Sequence, residues 1–179
     1  MKIITKNFTL KTVDSNYSIE IMEYNKRNRD FHKFSMPLKK DDFFSIETTI
    51  EYLEIENNLM NLGQFYRFYV FQKNSDKIIG DISLIDIKYN FLSSCYLGIK
   101  IDIDFVGKGI GDEVLKAIIE FVTIELKLHS IRATILPNNI ASKKLFENNG
   151  FQFDGIVKDL FFGVNGWEDH FLYSLILQE

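Results

Sequence analysis

Apolar and polar residues alternate over residues 2–13, with Ile4, Phe8 and Leu10 on one face, and this period of two predicts a strand. Asp14-Ser15-Asn16 offers helix-capping side chains. A short helix is expected over 17–26, with Ile19, Met22 and Tyr24 facing inward. Residues 25–40 are polar, with scattered Phe31 and Phe34 and with Pro37, and read as an ordered loop. Asp41-Asp42 then opens a long helix over 43–61. There Phe43, Ile46, Ile50, Leu53 and Leu62 or Met60 keep a 3–4 spacing, and the glutamates cluster outward. Gly63 ends it. Residues 65–72 (Phe-Tyr-Arg-Phe-Tyr-Val-Phe-Gln) are strongly strand-like. After a turn at 73–76 comes a returning strand at 77–88, a turn at 89–93 and a third strand at 94–103. Such short connections imply an antiparallel meander.

The pattern changes at residues 95–111, where an apolar run breaks into a glycine-rich turn. Gly107, Gly109 and Gly111 alternate with Lys108 and Ile110, and a helix follows over 112–127 carrying Val114, Ile118, Phe121, Val122 and Ile124. Residues 131–136 form a strand that stops at Pro137. A helix over 141–148 closes at Asn149-Gly150. Residues 151–161 and 168–177 make a last hairpin around 163–166. The order β-α-α-β-β-β-α-β-α-β-β describes an α+β fold. Its mixed, mostly antiparallel sheet has about seven strands, flanked by about four helices, in one domain over residues 1–179. One strand-helix-strand crossover makes two strands parallel.

Composition narrows the function. The 46% of hydrophobic residues exclude a disordered chain. A net charge of -4 argues against a coat for nucleic acid and favours a cationic substrate by steering. The one cysteine, Cys95, permits no disulfide within the chain, suits a reducing compartment, and reads as a small buried hydrophobe. No apolar run approaches ~18 residues and no secretory leader is recognisable, so a cytoplasmic protein without a membrane partner is expected. No His, Cys, Asp or Glu group has metal-ligand spacing, so no metal is expected.

Glycine lets the backbone turn sharply and bring N–H groups to a helix start, where the dipole is positive and a phosphate is the natural guest. The loop is not a Walker motif, because no Gly-Lys-Ser/Thr closes it. Nor is it the dinucleotide fingerprint, because Asp112 stands where a third glycine would. It fits the pyrophosphate of coenzyme A, or simply a tight strand-to-helix turn.

Two segments carry a family resemblance. Val106-Gly107-Lys108-Gly109-Ile110-Gly111 is similar to the Q/R-x-x-G-x-G/A motif of the GNAT superfamily of acyl-CoA-dependent N-acyltransferases. The segment from Asn139-Ile140-Ala141-Ser142 through Leu145-Phe146 to Asn149-Gly150-Phe151 resembles that superfamily's N-x-x-S…L-G-F segment. Cys95-Tyr96-Leu97-Gly98, Lys158-Asp159, Gly166-Trp167-Glu168-Asp169-His170 and Asn28-Arg29-Asp30 resemble the RimJ/RimL type, which acetylates N-terminal amines of ribosomal proteins. The match spans residues 80–175 and is loose over the first 75. It also departs from the pattern. Val106 replaces Gln or Arg, Phe146 stands where many members place a proton-donating Tyr, and Tyr96 replaces an acidic residue. Phe34-Ser35-Met36-Pro37 replaces Pro-Trp-Glu-Pro.

The resemblance implies acetyl-CoA as co-substrate. The backbone of Ile99 and Ile101 would hold the pantetheine arm and polarise the thioester, if the strand splays or bulges there. The amides of Val106, Gly107, Lys108, Gly109, Ile110 and Gly111 would hold the pyrophosphate. Asn139 would lie against the pantetheine, serve as a helix N-cap, or both. Ser142 is the candidate proton donor to the leaving thiolate, or an ordinary first-turn serine. Lys143 and Lys144 approach the ribose phosphate or form a solvated face. The base is open among Asp81, Asp102, Asp159 and Asp169, acting through water. His32 touches substrate or lies on the surface, and His170 makes a structural bond between loop and strand. Trp167, Phe161 and Phe162 are expected to cover the core. The expected function is N-acetylation of a primary amine, foremost a protein N-terminus, by a monomer or homodimer. A small amine (polyamine, aminoglycoside or amino acid) and a non-catalytic acyl-CoA-binding protein are the alternatives.

Overall fold

A computed structural model of the chain describes residues 1–35, 37 and 39–177. Eight strands form one sheet, in chain order β1 (Lys2–Ile4), β2 (Phe8–Lys11), β3 (Tyr66–Gln72), β4 (Ile78–Lys88), β5 (Ser94–Ile101), β6 (Ser130–Ile135), β7 (Gln152–Gly163) and β8 (Gly166–Ile176). Four helices join them: α1 (Ser18–His32), α2 (Ile46–Asn61), α3 (Ile110–Phe121) and α4 (Ile140–Asn148). The spatial order is β1-β2-β3-β4-β5-β6-β8-β7, antiparallel throughout except for the β5–β6 pair. The expected meander, crossover and hairpin are all present.

The extra strand comes from the N-terminus. Residues 2–13 are not one strand: Thr5 N–H donates to the Phe8 carbonyl at 3.0 Å and Phe8 N–H to Thr5 Oγ1 at 3.0 Å, folding the segment into the β1–β2 hairpin. On one face of the sheet, α3 buries Ile110, Val114, Leu115, Ile118 and Phe121, spaced by three and four residues, against Phe68, Val70, Ile79 and Ile82. The second face, under α1 and α2, has a smaller apolar cluster of Val13, Ile21, Tyr24, Leu53, Tyr69, Phe71 and Ile78. Polar groups fill the rest of that layer.

Helix α1 runs on to His32 instead of stopping at Lys26, so much of the expected 25–40 loop is helical; Met36 and Leu38 of that loop lie outside the described residues. The buried stripe is Ser18, Ile21, Tyr24 and Asn28, while Ile19, expected inward, is exposed. The helix continues because its polar turn finds tertiary partners. Asn28 Nδ2 donates to the Tyr24 carbonyl at 2.9 Å and to Asp102 Oδ2 at 3.1 Å, and Asn28 Oδ1 accepts from Ile103 N–H at 2.8 Å. Arg27 Nε donates to Asp102 at 2.8 Å. In α2, Asp41–Phe44 forms a separate 3-10 turn, and Ser45 caps the helix by accepting from Thr48 N–H at 3.1 Å. Thr49 and Leu53 are its buried residues, Leu62 is exposed, and Glu56, expected outward, turns in toward the sheet.

At the far edge, Phe162 and Trp167 pack edge-to-face, with centroids 5.7 Å apart, on the β7–β8 hairpin. Trp167 is 64% exposed, so this pair does not cover the core as expected; Phe161 is exposed too, and leans on the His170 ring. Among the described residues, no helix is long and apolar enough to cross a membrane.

Asp102 is fully buried and joins α1 to the end of β5. Burial alone would raise its carboxyl pKa; the Asn28 and Arg27 hydrogen bonds outweigh that and hold it below the usual carboxylate range. A depressed folded-state value gives a contribution that is complete above about pH 4 and is lost as pH falls through the folded value. Asp102→Asn is expected to cost about 2 kcal/mol at pH 7, or a Tm lower by roughly 4–8 °C, and to flatten the stability loss on acidification. Urea denaturation of both proteins between pH 3 and 7 checks this; parallel curves would contradict it.

Candidate active site

Strands β5 and β6 pair in parallel only through Ser94–Ser130, Cys95–Ile131 and Tyr96–Arg132. Beyond that they part. Strand β5 stays paired to β4 as far as Ile101, and β6 stays paired to β8 as far as Ile135. Leu97, Gly98, Ile99, Lys100 and Ile101 therefore line a slot on their β6 side. The slot opens into a cleft of about 1160 Å³ that reaches both faces of the sheet. The strand splays, as the sequence reading required; the register shift between β4 and β5 lies elsewhere, between Ile85 and Lys88. The Ile101 carbonyl is engaged at 3.0 Å by His32 Nε2.

The glycine loop closes one end of this cleft. Gly107 and Gly109 have φ of +77° and +76°, a left-handed conformation costly for side-chain-bearing residues. Gly109 is the N-cap of α3, so the helix starts on the loop itself, two residues earlier than expected. Gly111 does a different job. A Cβ there would meet Leu145 Cδ2 at 3.1 Å, so the missing side chain lets α3 approach α4 closely. Two acids in the first turn of α3 are drawn aside. Glu113 accepts from Asn7 N–H and Nδ2, each at 2.7 Å, and Asp112 accepts from Lys116 at 2.7 Å and Asn149 at 3.0 Å. Val106, Gly107, Gly109, Ile110 and Gly111 line the cleft. Lys108 turns its ammonium to the Asp104 carbonyl at 2.7 Å.

Across the cleft, Asn139 caps α4: its Oδ1 accepts from Ser142 N–H at 3.1 Å. Asn139, Ser142 and Lys144 line the cleft, while Lys143 donates to the Pro137 carbonyl at 2.7 Å. Phe146 is buried edge-to-face against Phe151, with centroids 4.8 Å apart, and is a core residue. Cys95 is buried in β5, and burial pushes its thiol up to about 12.

On the α1–α2 face the cleft floor is charged. Asp81, Tyr69 and Lys100 are register partners across β4, β3 and β5, as are Ser83, Arg67 and Gly98 one row along. Asp81 is 1% exposed and accepts from Tyr24 at 3.0 Å, with Lys100 Nζ at 2.9 Å and Arg67 Nη1 at 3.5 Å. Burial would raise its carboxyl, but Lys100 and Arg67 outweigh burial and hold it low. Arg67 Nη2 lies 2.9 Å from Glu56 Oε1. Burial raises the Glu56 carboxyl, and Arg67 offsets this only in part. His32 and Lys39 line the same region; burial, then the Lys100 charge, lowers both from their usual values.

Of the four aspartates considered as base, Asp81 alone lines the cleft. Asp102 is spent on Arg27 and Asn28. Asp169 binds Lys158 at 2.6 Å and the Asp159 N–H at 3.0 Å on the outer hairpin. The His170 Nδ1 contact is to the Glu168 carbonyl at 3.1 Å, inside its own strand and not across to a loop. Sequence reasoning missed Glu56 and Arg67. One signal was present: Arg67 interrupts an aromatic strand at an inward-facing parity shared with Tyr69.

A mixed sheet parted beside a glycine loop at a helix start defines the GNAT acyltransferase class, and the comparisons agree. A family model described as an acetyltransferase (GNAT) domain matches residues 9–152, so the chain belongs to that family. It is 32% identical over 151 residues, 83% of this chain and 82% of the relative, to the Probable N-acetyltransferase YjcK of Bacillus subtilis. It is 26% identical over 175 residues, 98% of this chain and 90% of the relative, to the [ribosomal protein uS5]-alanine N-acetyltransferase of Escherichia coli. The crystal structure of the ribosomal-protein-S5-alanine acetyltransferase of Vibrio fischeri superposes with a TM-score of 0.93 at 27% identity, covering 98% of this chain and 96% of that one. The chain is an acetyl-CoA-dependent N-acetyltransferase of the RimJ/RimL type.

The buried Cys95 thiol, protonated throughout the neutral range, is expected to resist alkylation in the native protein at pH 7–8 and to react fully once unfolded. Mass spectrometry after iodoacetamide treatment with and without urea checks this. Complete labelling of native protein within minutes would mean that the thiol is accessible.

Proposed function

We propose that the chain acetylates the N-terminal α-amine of a protein in the cytoplasm. The observation that carries this reading is the charge arrangement at the α2 end of the cleft. Two carboxylates, Glu56 and Asp81, stand among Arg67, Lys100 and Lys39. A polyamine would bring its second and third charges against these cations, which opposes binding. A protein N-terminus brings one ammonium followed at once by carbonyl groups, which the cations favour. The activities named for the Escherichia coli and Vibrio fischeri relatives support the same acceptor class.

In this reading the parted segment of β5 and the loop hold acetyl-CoA. The Ile99 and Ile101 backbone pairs with the pantetheine arm as an added strand would. The amides of residues 106–111 bind the pyrophosphate at the start of α3, where the helix dipole favours an anion. Acetyl-CoA supplies an acyl group on a good leaving thiolate. The protein positions the amine, offers an N–H to the developing oxyanion, and moves protons. Asn139 sets the first turn of α4, and Ser142, three residues on, hydrogen-bonds the departing thiolate.

Thiol release from acetyl-CoA is expected with peptides bearing a free N-terminus and not with acetylated peptides or polyamines. A panel that shows turnover only with small amines would overturn the acceptor assignment. Ser142→Ala is expected to lower kcat about tenfold to a hundredfold with the acetyl-CoA Kd unchanged. Gly109→Val, which forces a β-branched residue to a φ of +76°, is expected to raise that Kd about tenfold or more. Isothermal titration separates the two effects, and an unchanged Kd in Gly109→Val would remove the loop from the binding site.

A further inference from the structure

The acceptor ammonium must lose a proton before its nitrogen attacks, and none of the four aspartates suits the task. Three of them do not line the cleft, and the fourth, Asp81, is held by Lys100, Tyr24 and Arg67.

Glu56 differs from all four. It extends the inner stripe of α2 that begins at Thr49 and Leu53, one further turn along. Its side chain is 13% exposed and lines the cleft. Among the described residues its ion-pair partner is Arg67 alone, through Oε1, so the second oxygen remains for a donor in the cleft. The charged and titratable groups around it are Arg67 and Tyr69 from β3, Asp81 from β4, Lys100 from β5 and Lys39 from the α1–α2 connection; α1 presents His32 to the same cleft. Burial makes the charged form of Glu56 harder to keep, which strengthens it as a proton acceptor relative to an exposed glutamate.

We propose that Glu56 is the catalytic base, taking the proton from the acceptor ammonium directly or through one water, with Arg67 as the residue that positions it. The register supports the placement. Arg67, Ser83 and Gly98 lie in one row across β3, β4 and β5, so two strand spacings, about 10 Å, separate the Arg67 backbone from the start of the parted segment. Ser83 is small, Gly98 has no side chain, and both line the cleft. The floor between Glu56 and β5 thus carries no large side chain in this row, which leaves space for an amine and a bridging water. The protons balance. Glu56 receives one from the ammonium and later releases it to solvent. The neutral nitrogen attacks the thioester carbon, the C–N bond forms and the C–S bond breaks, and the second nitrogen proton ends on the thiolate by way of Ser142.

The placement rests on the acceptor entering over the α2 face, and the test keeps the two claims apart. Wild type, Glu56→Gln, Glu56→Asp and His32→Ala are compared on whichever amine the acceptor panel identifies. Turnover of small amines alone would end the N-terminal reading and leave the comparison intact on that amine. If no amine turns over, slow hydrolysis of acetyl-CoA, in which the base deprotonates water, carries the same comparison. Expected are a fall in kcat of about a hundredfold in Glu56→Gln, partial recovery in Glu56→Asp, and an unchanged acetyl-CoA Kd. The wild-type acid limb of kcat is expected to be replaced in Glu56→Gln by one displaced to higher pH, where the rate follows the fraction of free amine. Activity within threefold of wild type with the same acid limb would overturn the proposal. So would an acid limb that is displaced in His32→Ala instead, or a Glu56→Gln protein that loses acetyl-CoA binding, which would mark a structural role.

Discussion

The parting of β5 from β6 after three residue pairs governs the rest of the molecule. Parallel strands normally pair along their length, and an unpaired strand edge inside a sheet leaves backbone donors and acceptors without partners. Here the edge opens into a cleft rather than into the core. The opening is held from both sides: β4 fixes one wall through Ile101, and β8 fixes the other through Ile135. Between these walls the cleft runs from the glycine loop on one face to the charged layer on the other. A molecule laid along it meets a helix start with free amides at one end and titratable side chains at the other.

The two faces of the sheet are built by different physics. The α3 face is a continuous apolar core in which Val114, Leu115 and Ile118 are fully buried, and its packing holds the glycine loop at a set height above the sheet. The α1–α2 face combines a small apolar cluster with buried ions. Burying Asp81 and Asp102 is tolerated because each gathers several donors, and a buried carboxylate with two or three hydrogen bonds stays ionised. Such a layer stabilises less than an apolar one of equal size. Glu56 fits this contrast: it is half-buried in the same layer, and Arg67, its ion-pair partner among the described residues, does not hold it low.

Much of the fold was legible because it follows from local pattern. The meander over residues 65–103 has strand periodicity and short turns, and the crossover needs only a glycine turn, a helix period and a strand. Most misreadings came from the N-terminal third. The 2–13 segment keeps its alternation through a turn, so period alone could not separate one strand from two. The 25–32 stretch is polar and reads as loop; it is helical because Asn28, Arg27 and His32 meet Asp102, Ile103 and Ile101 across about 70 residues of chain. Trp167 and Phe162 read as core by composition, yet lie on an outer hairpin.

Contiguous motifs along the chain, through their resemblance to the GNAT superfamily, were enough to point to the class of the protein and its co-substrate, and they singled out the glycine loop. Those features are short-range: a strand end, three glycines and a capped helix are contiguous, and their geometry is set by backbone sterics and helix ends. The Glu56–Arg67 pair was decided by packing. Glu56 stands on a helix whose other glutamates point to water; helix period puts it on the stripe of Thr49 and Leu53, but nothing local supplies its partner. That partner is Arg67, which comes from the next strand and reaches Glu56 only once α2 has docked on the sheet. Charge pairing across elements depends on register and docking, which the order of residues along the chain does not express until the sheet has formed.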